Sequence, residues 1–128
     1  MKQKELKLVV FTLGGTRYGI AANQIACLQN YDLAQKTVGF HKLVAAGAVT
    51  YHRPKLLVVK NRHMHPAVLI NEPETIIDIP IHKINPLPVL IAQLAHRSGV
   101  WGVVIQPQQM IVLVDFYKNE LFYQANVL

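Results

Sequence analysis

The sequence predicts an all-β fold in a single domain, residues 1–128, with a short helix at its C-terminal end. About nine apolar segments have the length of strands, and glycines or prolines separate them at short intervals, as in small barrels and sandwiches. Hydrophobic residues make up 52% of the chain and charged residues 16%, which excludes a disordered protein. A chain of 128 residues is also long enough to enclose a hydrophobic core.

The N-terminal third predicts a hairpin and one further strand. Residues 6–13 are apolar at most positions on both faces, which indicates a strand with both faces covered. Gly14 and Gly15 provide the positive φ angles of a tight turn into a second strand at residues 16–21. A third strand is predicted at residues 25–31.

The central third predicts a loop followed by four strands. Turn-forming residues and a change to basic character indicate the loop at residues 32–40. The four strands are predicted at residues 43–51, 55–60, 67–71 and 74–79. Pro54, Pro73 and Pro80 favour bends between strands, because proline cannot donate to a ladder of hydrogen bonds.

The C-terminal third predicts two short helices around a closing hairpin. The predicted elements are a turn at residues 85–88, a helix at 89–96 and a hairpin of strands at 100–106 and 109–114. Gly99 follows the first helix, where glycine commonly takes the left-handed conformation. Asp115 is a favourable N-cap and predicts a last helix over residues 116–124, with Tyr117 and Leu121 on one face.

The positive charge of the chain is concentrated in its centre. The net charge is +6, and the segment from residue 36 to residue 65 contains six basic residues and no acidic one. These residues are Lys36, Lys42, Arg53, Lys55, Lys60 and Arg62. Such a block can steer an acidic partner, whether protein, nucleic acid or lipid headgroup, and the alternative interpretation is a solvated loop region.

The sequence also indicates a compartment. No apolar run approaches the roughly 18 to 20 residues that cross a bilayer, so no membrane insertion is expected. The basic N-terminus is not followed by a cleavage site for a signal peptide. Cys27 is the single cysteine and cannot form an internal disulfide, which favours a reducing compartment. We therefore expect a cytoplasmic protein.

Two regions of the chain carry a recurring order of motifs. At the N-terminal end, a glycine turn joins a strand to Tyr18-Gly19-Ile20, and Asn23-Gln24-Ile25 follows. This order resembles the opening of the CheW family, in which Phe-x-Leu, Tyr-x-Ile and Val-x-x-Ile segments follow one another. The matching positions are Phe11, Leu13, Tyr18, Ile20, Ile25 and Leu28.

The C-terminal region is similar to the same family in three further segments. Residues 84–88 resemble its Ile-x-x-Leu-Pro turn, and residues 100–103 resemble its Tyr-x-x-Gly-hydrophobic strand. Residues 111–115 resemble its Leu-Leu-Asp ending. The resemblance extends over residues 8–28 and 84–116 and depends on the order and spacing of the motifs together.

The resemblance implies a fold, a function and a set of contact residues. The fold is two small interlocked β-barrels. The function is that of a non-catalytic adaptor, without a cofactor, which couples the cytoplasmic tip of a chemoreceptor to a histidine kinase of the CheA type in a chemotaxis or motility pathway. The partner-binding positions that it implies are Ile25, Leu28, Gly47, His52 and Arg53.

The centre of the chain departs from the family pattern. The family's Gly-x-x-x-x-Arg-Gly-x-x-x-Pro-Val-x-Asp-Leu segment corresponds to residues 47–61, with His52 at the arginine and Arg53 at the glycine. Lys60 replaces the aspartate with the opposite charge, and Cys27 stands where a glutamate is expected. These changes predict a divergent, shortened member of the family whose partners differ from those of a typical one.

The groups that could support chemistry are few. His63 and His65 have a spacing that can chelate a metal, but a protein site usually needs three or four ligands, so we expect exposed loop histidines. Cys27 has no adjacent base and is predicted to be a packed thiol. The acidic cluster is Glu72, Glu74 and Asp78, which we interpret as a solvated edge. No catalytic residue, metal site or enzyme activity is predicted.

A basic β-barrel that binds single-stranded nucleic acid is the alternative function. Such proteins combine a positively charged groove with aromatic side chains on which bases stack. Tyr18 and Trp101 could provide the stacking surfaces, but both lie outside the basic segment. Aromatic residues in short strands more often pack in a core, so nucleic acid is the less favoured partner.

Overall fold

The computed structural model describes residues 4–62, 64–107 and 109–125. These residues form ten strands and three short α-helices. The strands are β1 (Glu5–Leu13), β2 (Thr16–Ala21), β3 (Ile25–Asn30), β4 (Thr37–Gly39), β5 (Pro54–Val59), β6 (Ala67–Asn71), β7 (Thr75–Pro80), β8 (Ile84–Pro86), β9 (Val100–Ile105) and β10 (Met110–Val114). The helices are α1 (Phe40–Leu43), α2 (Val89–Ala95) and α3 (Glu120–Gln124), and short 3₁₀ turns cover Ala22–Gln24, Ile81–Lys83, His96–Ser98 and Phe116–Lys118.

Six strands form the larger sheet in the order β7-β1-β2-β10-β9-β8. The predicted first hairpin is confirmed, with φ angles of 59° at Gly14 and 81° at Gly15 between the antiparallel strands β1 and β2. The predicted closing hairpin is also present, since β9 and β10 pair antiparallel. β10 runs parallel to β2, with Ile111 opposite Arg17, so this sheet joins the N-terminal and C-terminal parts of the chain.

The smaller sheet contains the central strands in the order β3-β5-β6-β4. β5 is antiparallel to both of its neighbours, and β4 is parallel to β6. β3 and β4 are therefore the two edges of the sheet. β3 consists of exposed residues except for Ile25, which packs against the core.

β1 contributes to two hydrophobic cores because its side chains alternate between two covered faces. Leu8 and Val10 belong to a core that lies within the larger sheet. Phe11 and Leu13 belong to a second core, which also contains side chains of β5 and β6 and is called the shared core below. The predicted coverage of both faces of the first strand is confirmed.

Aromatic rings occupy the centre of the shared core. Phe40 lies at the start of α1, and its ring packs edge to face against the rings of Phe11 at 4.9 Å and Tyr18 at 4.8 Å between centroids. A third ring, Phe116, lies 6.1 Å from Phe40. Offset and edge-to-face pairs of this kind add to the stabilisation that burial alone provides. The rings therefore hold the two sheets against each other.

The strand predicted at residues 43–51 is wrong. α1 ends at Leu43, and the chain then turns back, with the N–H of Ala46 donating to the carbonyl of His41 at 2.9 Å. Val49 and Tyr51 are partly buried and pack against the shared core. The segment is apolar because it covers a core as a loop. Its composition is therefore that of a strand, although it pairs with no other strand.

Two segments that were predicted to be irregular contain strands. The predicted loop at residues 32–40 includes β4 and the first residue of α1. The predicted turn at residues 85–88 overlaps β8, whose Asn85 lies opposite Val103 of β9. β8 is an edge strand, where the lost N–H of Pro86 is tolerated.

The predicted C-terminal helix over residues 116–124 is divided into two elements. The side chain of Asp115 accepts a hydrogen bond from the N–H of Tyr117 at 2.9 Å, and it caps only a 3₁₀ turn. Asn119 caps α3 by accepting from the N–H of Phe122 at 2.8 Å. Tyr117 and Leu121 therefore lie in different elements rather than on one face of one helix.

Asn119 is a fully buried polar residue that joins three parts of the chain. Its amide nitrogen donates to the carbonyls of Leu43 at 2.8 Å and Ser98 at 2.7 Å, and its side-chain oxygen caps α3. The amide thus ties α3 to the end of α1 and to the turn before β9. These bonds satisfy backbone groups that water cannot reach.

We expect Asn119→Ala to lower the free energy of unfolding by about 2 to 3 kcal/mol, because buried backbone groups lose their partners. Denaturant unfolding followed by circular dichroism measures the change. The control is Asn85→Ala, since this exposed amide donates only one long bond, 3.4 Å to the carbonyl of Lys83. The control should change the free energy by less than about 0.5 kcal/mol. Equal losses in the two variants would contradict the role assigned to Asn119.

Candidate functional site

The implied partner-binding positions Ile25 and Leu28 lie on β3. Ile25 is opposite Val59 and packs partly against the shared core. Leu28 is opposite Leu57, and 42% of its surface is exposed. Leu57 is completely buried, so Leu28 lies at the rim of the same apolar surface. A partner at this edge would contact an apolar side chain and the free backbone groups of an edge strand.

His52 and Arg53 directly precede the first residue of β5, Pro54. The N–H of His52 donates to the side-chain oxygen of Asn71 at 2.9 Å, and the amide of Asn71 donates to the carbonyl of Thr12 at 2.9 Å. The guanidinium of Arg53 lies 3.4 Å from the carboxylate of Glu72, and 82% of its side chain is exposed. Both residues line a cleft of about 270 Å³.

Gly47 lies in the loop between α1 and β5 and is exposed. Its φ angle is +78°, and a Cβ atom placed on it would meet no other atom within 4 Å. Glycine is therefore suited to this position by backbone conformation rather than by close packing. The loop approaches the first hairpin, because a Cβ atom on Gly14 would lie 2.9 Å from Val49.

The structure places these five residues in three separate regions. Along β5, Leu57 and Arg53 are four residues apart, so Leu28 and Arg53 are separated by about 13 Å. The ion pair of Arg53 with Glu72 directs the guanidinium toward the β6 side of β5, away from β3. The five positions do not form one compact site. They are compatible with a partner that contacts the small sheet at several points.

The acidic cluster is explained by ion pairs. Glu72 pairs with Arg53, and Asp78 pairs with Lys7 at 3.5 Å. Glu74 lies 3.9 Å from Arg17 and also accepts a hydrogen bond from the hydroxyl of Thr12. Each carboxylate thus has a cation of its own, and no two of them form a pair for acid-base chemistry.

Arg17 is a partly buried cation that was not predicted as a site residue. Only 16% of its side chain is exposed, and it donates to the side-chain oxygen of Gln106 at 3.1 Å. It lines a polar cleft of about 600 Å³ between the two hairpins, together with Glu74 and Gln109. The signal that could have identified Arg17 is the position of a basic residue in an otherwise uncharged strand.

α2 is a helix with an exposed apolar surface. Its sequence, residues 89–95, contains no charged residue. Val89, Leu90 and Ile91 are exposed by 77%, 74% and 50%. The sequence predicts the helix but not its exposure, although the absence of charged residues on so short a helix is a signal for it. An exposed apolar patch of this kind is typical of a protein interface.

The candidate metal and thiol residues have different outcomes. His63 lies outside the described residues, and the ring of His65 stacks on Phe122 at 4.8 Å, so His65 is partly buried rather than exposed. Within residues 4–62, 64–107 and 109–125, no three His, Cys, Asp or Glu side chains are grouped to hold a metal ion. Cys27 is exposed, so the predicted packed thiol is wrong. It lies on the outward face of an edge strand.

The two aromatic residues proposed to stack on bases lie in different surroundings. Tyr18 belongs to the shared core and is 7% exposed. Trp101 lies on β9 in the larger sheet and is 38% exposed. The two rings therefore do not form a stacking surface beside the central cations. Core packing, the alternative weighed for aromatic residues, is confirmed for Tyr18.

Among the described residues, no helix has the length and hydropathy needed to span a membrane. No protein-family model and no curated protein matches the sequence. Among solved structures, the chain is similar to the scaffolding protein TtCheW from Thermoanaerobacter tengcongensis, with a TM-score of 0.67 and 14% sequence identity. The match covers 88% of this chain and 90% of that chain. The predicted fold is confirmed: the chain has the all-β fold of a CheW protein, with two barrel-like sheets and a short C-terminal helix.

Proposed function

We propose that the protein is a non-catalytic cytoplasmic adaptor that couples a chemoreceptor to a histidine kinase of the CheA type. The observation that carries the proposal is the similarity of fold to a CheW scaffolding protein over 88% of the chain. The motifs at the two ends of the sequence also support the proposal. They lie in adjacent strands, with Tyr18 and Ile20 on β2 and Leu113 on β10.

The exposed surfaces of the molecule are suited to protein partners. β3 offers an unpaired edge without a charged residue or a proline, features that would otherwise protect an edge strand from pairing. Leu28 provides an apolar contact on that edge. Arg53 provides an exposed guanidinium that can exchange Glu72 for a carboxylate of a partner. We assign kinase and receptor contacts to the surfaces around these two residues, with Ile25 beside Leu28 and His52 beside Arg53, and to the separate loop at Gly47.

Binding measurements with substituted proteins test the proposal. We expect Leu28→Ser and Arg53→Glu each to weaken binding to the kinase or to the receptor fragment by about tenfold, as central interface residues do. The matched controls are Met110→Ser, at a residue of β10 that is 51% exposed, and Lys83→Glu, at an exposed residue of the 3₁₀ turn before β8. The controls should change affinity by less than about twofold. Calorimetry with the purified kinase and a receptor cytoplasmic fragment from the same genome provides the affinities.

Two results would contradict the proposal. The first is failure of the unsubstituted protein to bind either the kinase or the receptor fragment. The second is equal binding by the test and control variants, provided that circular dichroism shows all four to be folded. In the second case the partner contacts lie elsewhere than at Leu28 and Arg53.

A further inference from the structure

One end of the small sheet has four cations, which come from three parts of the chain. Lys60 directly follows β5, and its N–H donates to the carbonyl of Gln24 just before β3. Lys36 directly precedes β4, and its carbonyl accepts from the N–H of Ala67 at the start of β6. Since β4 and β5 flank β6, the backbones of the two lysines lie about 10 Å apart at the same end of the sheet.

Arg62 and Lys118 join this end through Tyr117. The hydroxyl of Tyr117 donates to the carbonyl of Lys60 at 2.9 Å, which fixes the 3₁₀ turn of residues 116–118 beside the end of β5. The guanidinium of Arg62 lies over the Tyr117 ring, 4.8 Å from its centre. Lys118 is the next residue and is exposed. We call Lys36, Lys60, Arg62 and Lys118 the basic end.

Within the described residues, the cations of the basic end form no ion pair, in contrast to four other cations of the molecule. On the rest of the described surface, Lys7, Arg17, Arg53 and Arg97 each lie within 4 Å of an Asp or Glu side chain. Among the described residues, no such ion pair involves a member of the basic end. Asp115 lies beside it, but its side chain accepts from Gln24 at 2.8 Å and from the backbone of Tyr117. The four charges are therefore available to a partner.

The structure places the six basic residues of the segment from residue 36 to residue 65 in different regions. Arg53 is paired with Glu72, and Lys55 donates to the side chain of Asn30 at 2.7 Å near the opposite end of β5. Lys42 belongs to α1, which follows the far end of β4. Only three of the six basic residues reach the basic end, and the fourth cation, Lys118, comes from outside the segment.

We propose that the basic end binds an acidic segment of a partner protein. Four unpaired cations on one end of a sheet attract carboxylates through their combined field. A strand of single-stranded nucleic acid needs open rings for successive bases. Here the Tyr117 ring is covered by Arg62 and its hydroxyl is bonded, and the His65 ring lies against Phe122. Among the described residues around these rings, Tyr123 has a largely open ring, 66% exposed, so the surface offers four charges without a row of stacking platforms, which favours a polypeptide.

His65 adds no charge to the basic end at neutral pH. Burial lowers the pKa of its imidazole, and the neighbouring charge of Arg62 lowers it further. The charge available at pH 7 is therefore that of the two lysines of the small sheet, Arg62 and Lys118. The basic end is remote from His52 and Arg53, which lie at the opposite end of β5, whereas Ile25, opposite Val59, lies next to it.

The test uses the full chain and a labelled peptide of ten glutamates, with binding measured by fluorescence anisotropy at low and moderate salt. We expect affinity that falls with salt and that decreases about tenfold in the double variant Lys60→Glu, Lys118→Glu. Both side chains are exposed and, within the described part of the chain, form no ion pair or side-chain hydrogen bond, so folding should be preserved. The matched control is Lys4→Glu, Lys83→Glu, which changes the net charge equally at two exposed residues that flank strands of the larger sheet. It should weaken binding by less than about twofold.

Three outcomes would overturn the inference. One is no binding of the peptide at low salt, and another is an equal loss in the two double variants, which would indicate a response to net charge alone. The third is that oligo-dT of ten nucleotides, or vesicles containing phosphatidylserine, bind more tightly than the peptide and lose affinity with the same variant. That result would assign the basic end to nucleic acid or to a membrane surface. Because kinase and receptor binding are measured separately, failure here leaves the adaptor proposal unaffected.

Discussion

Phe40→Ala is expected to lower the free energy of unfolding by about 3 to 5 kcal/mol. The Phe40 side chain is completely buried and lies between Phe11, Tyr18 and Phe116, which come from β1, β2 and the turn after β10. Its removal leaves a cavity between the sheets, because the rings around it belong to elements that cannot all move inward. Denaturant unfolding followed by tryptophan fluorescence and by far-ultraviolet circular dichroism measures the loss.

Two further variants make the Phe40 experiment specific. Phe40→Leu keeps most of the buried volume and should cost less than about half as much as the alanine variant. Leu33→Ala removes a side chain that is 86% exposed and should change stability by less than about 0.5 kcal/mol. A loss below 1 kcal/mol in Phe40→Ala, on the scale of ordinary surface substitutions, would contradict the central role of the ring.

The same unfolding curves address the number of domains. The prediction of one domain, residues 1–128, implies that fluorescence and circular dichroism report a single coincident transition. The shared core contains side chains of both sheets, which supports this expectation. Two separate transitions, one for each sheet, would contradict it.

Gly99→Ala is expected to lower the free energy of unfolding by about 3 kcal/mol or more. Gly99 has a φ angle of +77°, and a Cβ atom placed on it would lie 2.3 Å from the carbonyl oxygen of Asp115. The same two residues are joined by a hydrogen bond of 2.8 Å from the N–H of Asp115 to the carbonyl of Gly99. An added methyl group would therefore force apart the backbone segments that lead into β9 and out of β10.

Gly15→Ala is the matched control for Gly99→Ala. Gly15 has nearly the same φ angle, +81°, but a Cβ atom on it meets no atom within 4 Å. Its substitution should lower the free energy of unfolding by about 1 kcal/mol, because only the backbone strain of the left-handed conformation is added. The difference between the two variants isolates the steric clash. Equal thermal destabilisation of both proteins would show that the clash is relieved without cost.

The confirmed predictions of the fold rest on local patterns. The first hairpin follows from Gly14 and Gly15 between two apolar runs, and the structure has both residues at positive φ. The alternation of side chains along residues 6–13 predicted coverage of both faces of β1, and the two cores provide it. Such features depend on neighbours in the sequence, so the sequence is sufficient to predict them.

The errors of the sequence analysis share a physical cause. Residues 43–51 have the composition of a strand, yet after the end of α1 at Leu43 they cover the shared core as a loop and pair with no strand. β4 has a neutral local pattern and becomes a strand only because it pairs in parallel with β6. A strand that depends on a distant partner leaves little signal in its own sequence.

The candidate site also has some features that the sequence predicts and others that depend on distant contacts. The sequence supplied the positions Ile25, Leu28, Gly47, His52 and Arg53 through a family resemblance, and their role in binding stays a prediction. The exposure of Cys27 and of α2 could not be predicted, because burial depends on which elements cover a segment.

The sequence by itself determined the all-β class, the turns and the excess of positive charge, since each is a property of composition or of neighbouring residues. Only the tertiary structure decided which charges act together. Pairing of β4, β5 and β6 brings Lys36 beside Lys60, and the hydrogen bond of Tyr117 adds Lys118 from the other end of the chain. Sheet pairing joins residues that are distant in sequence, so the basic end exists only in the folded molecule.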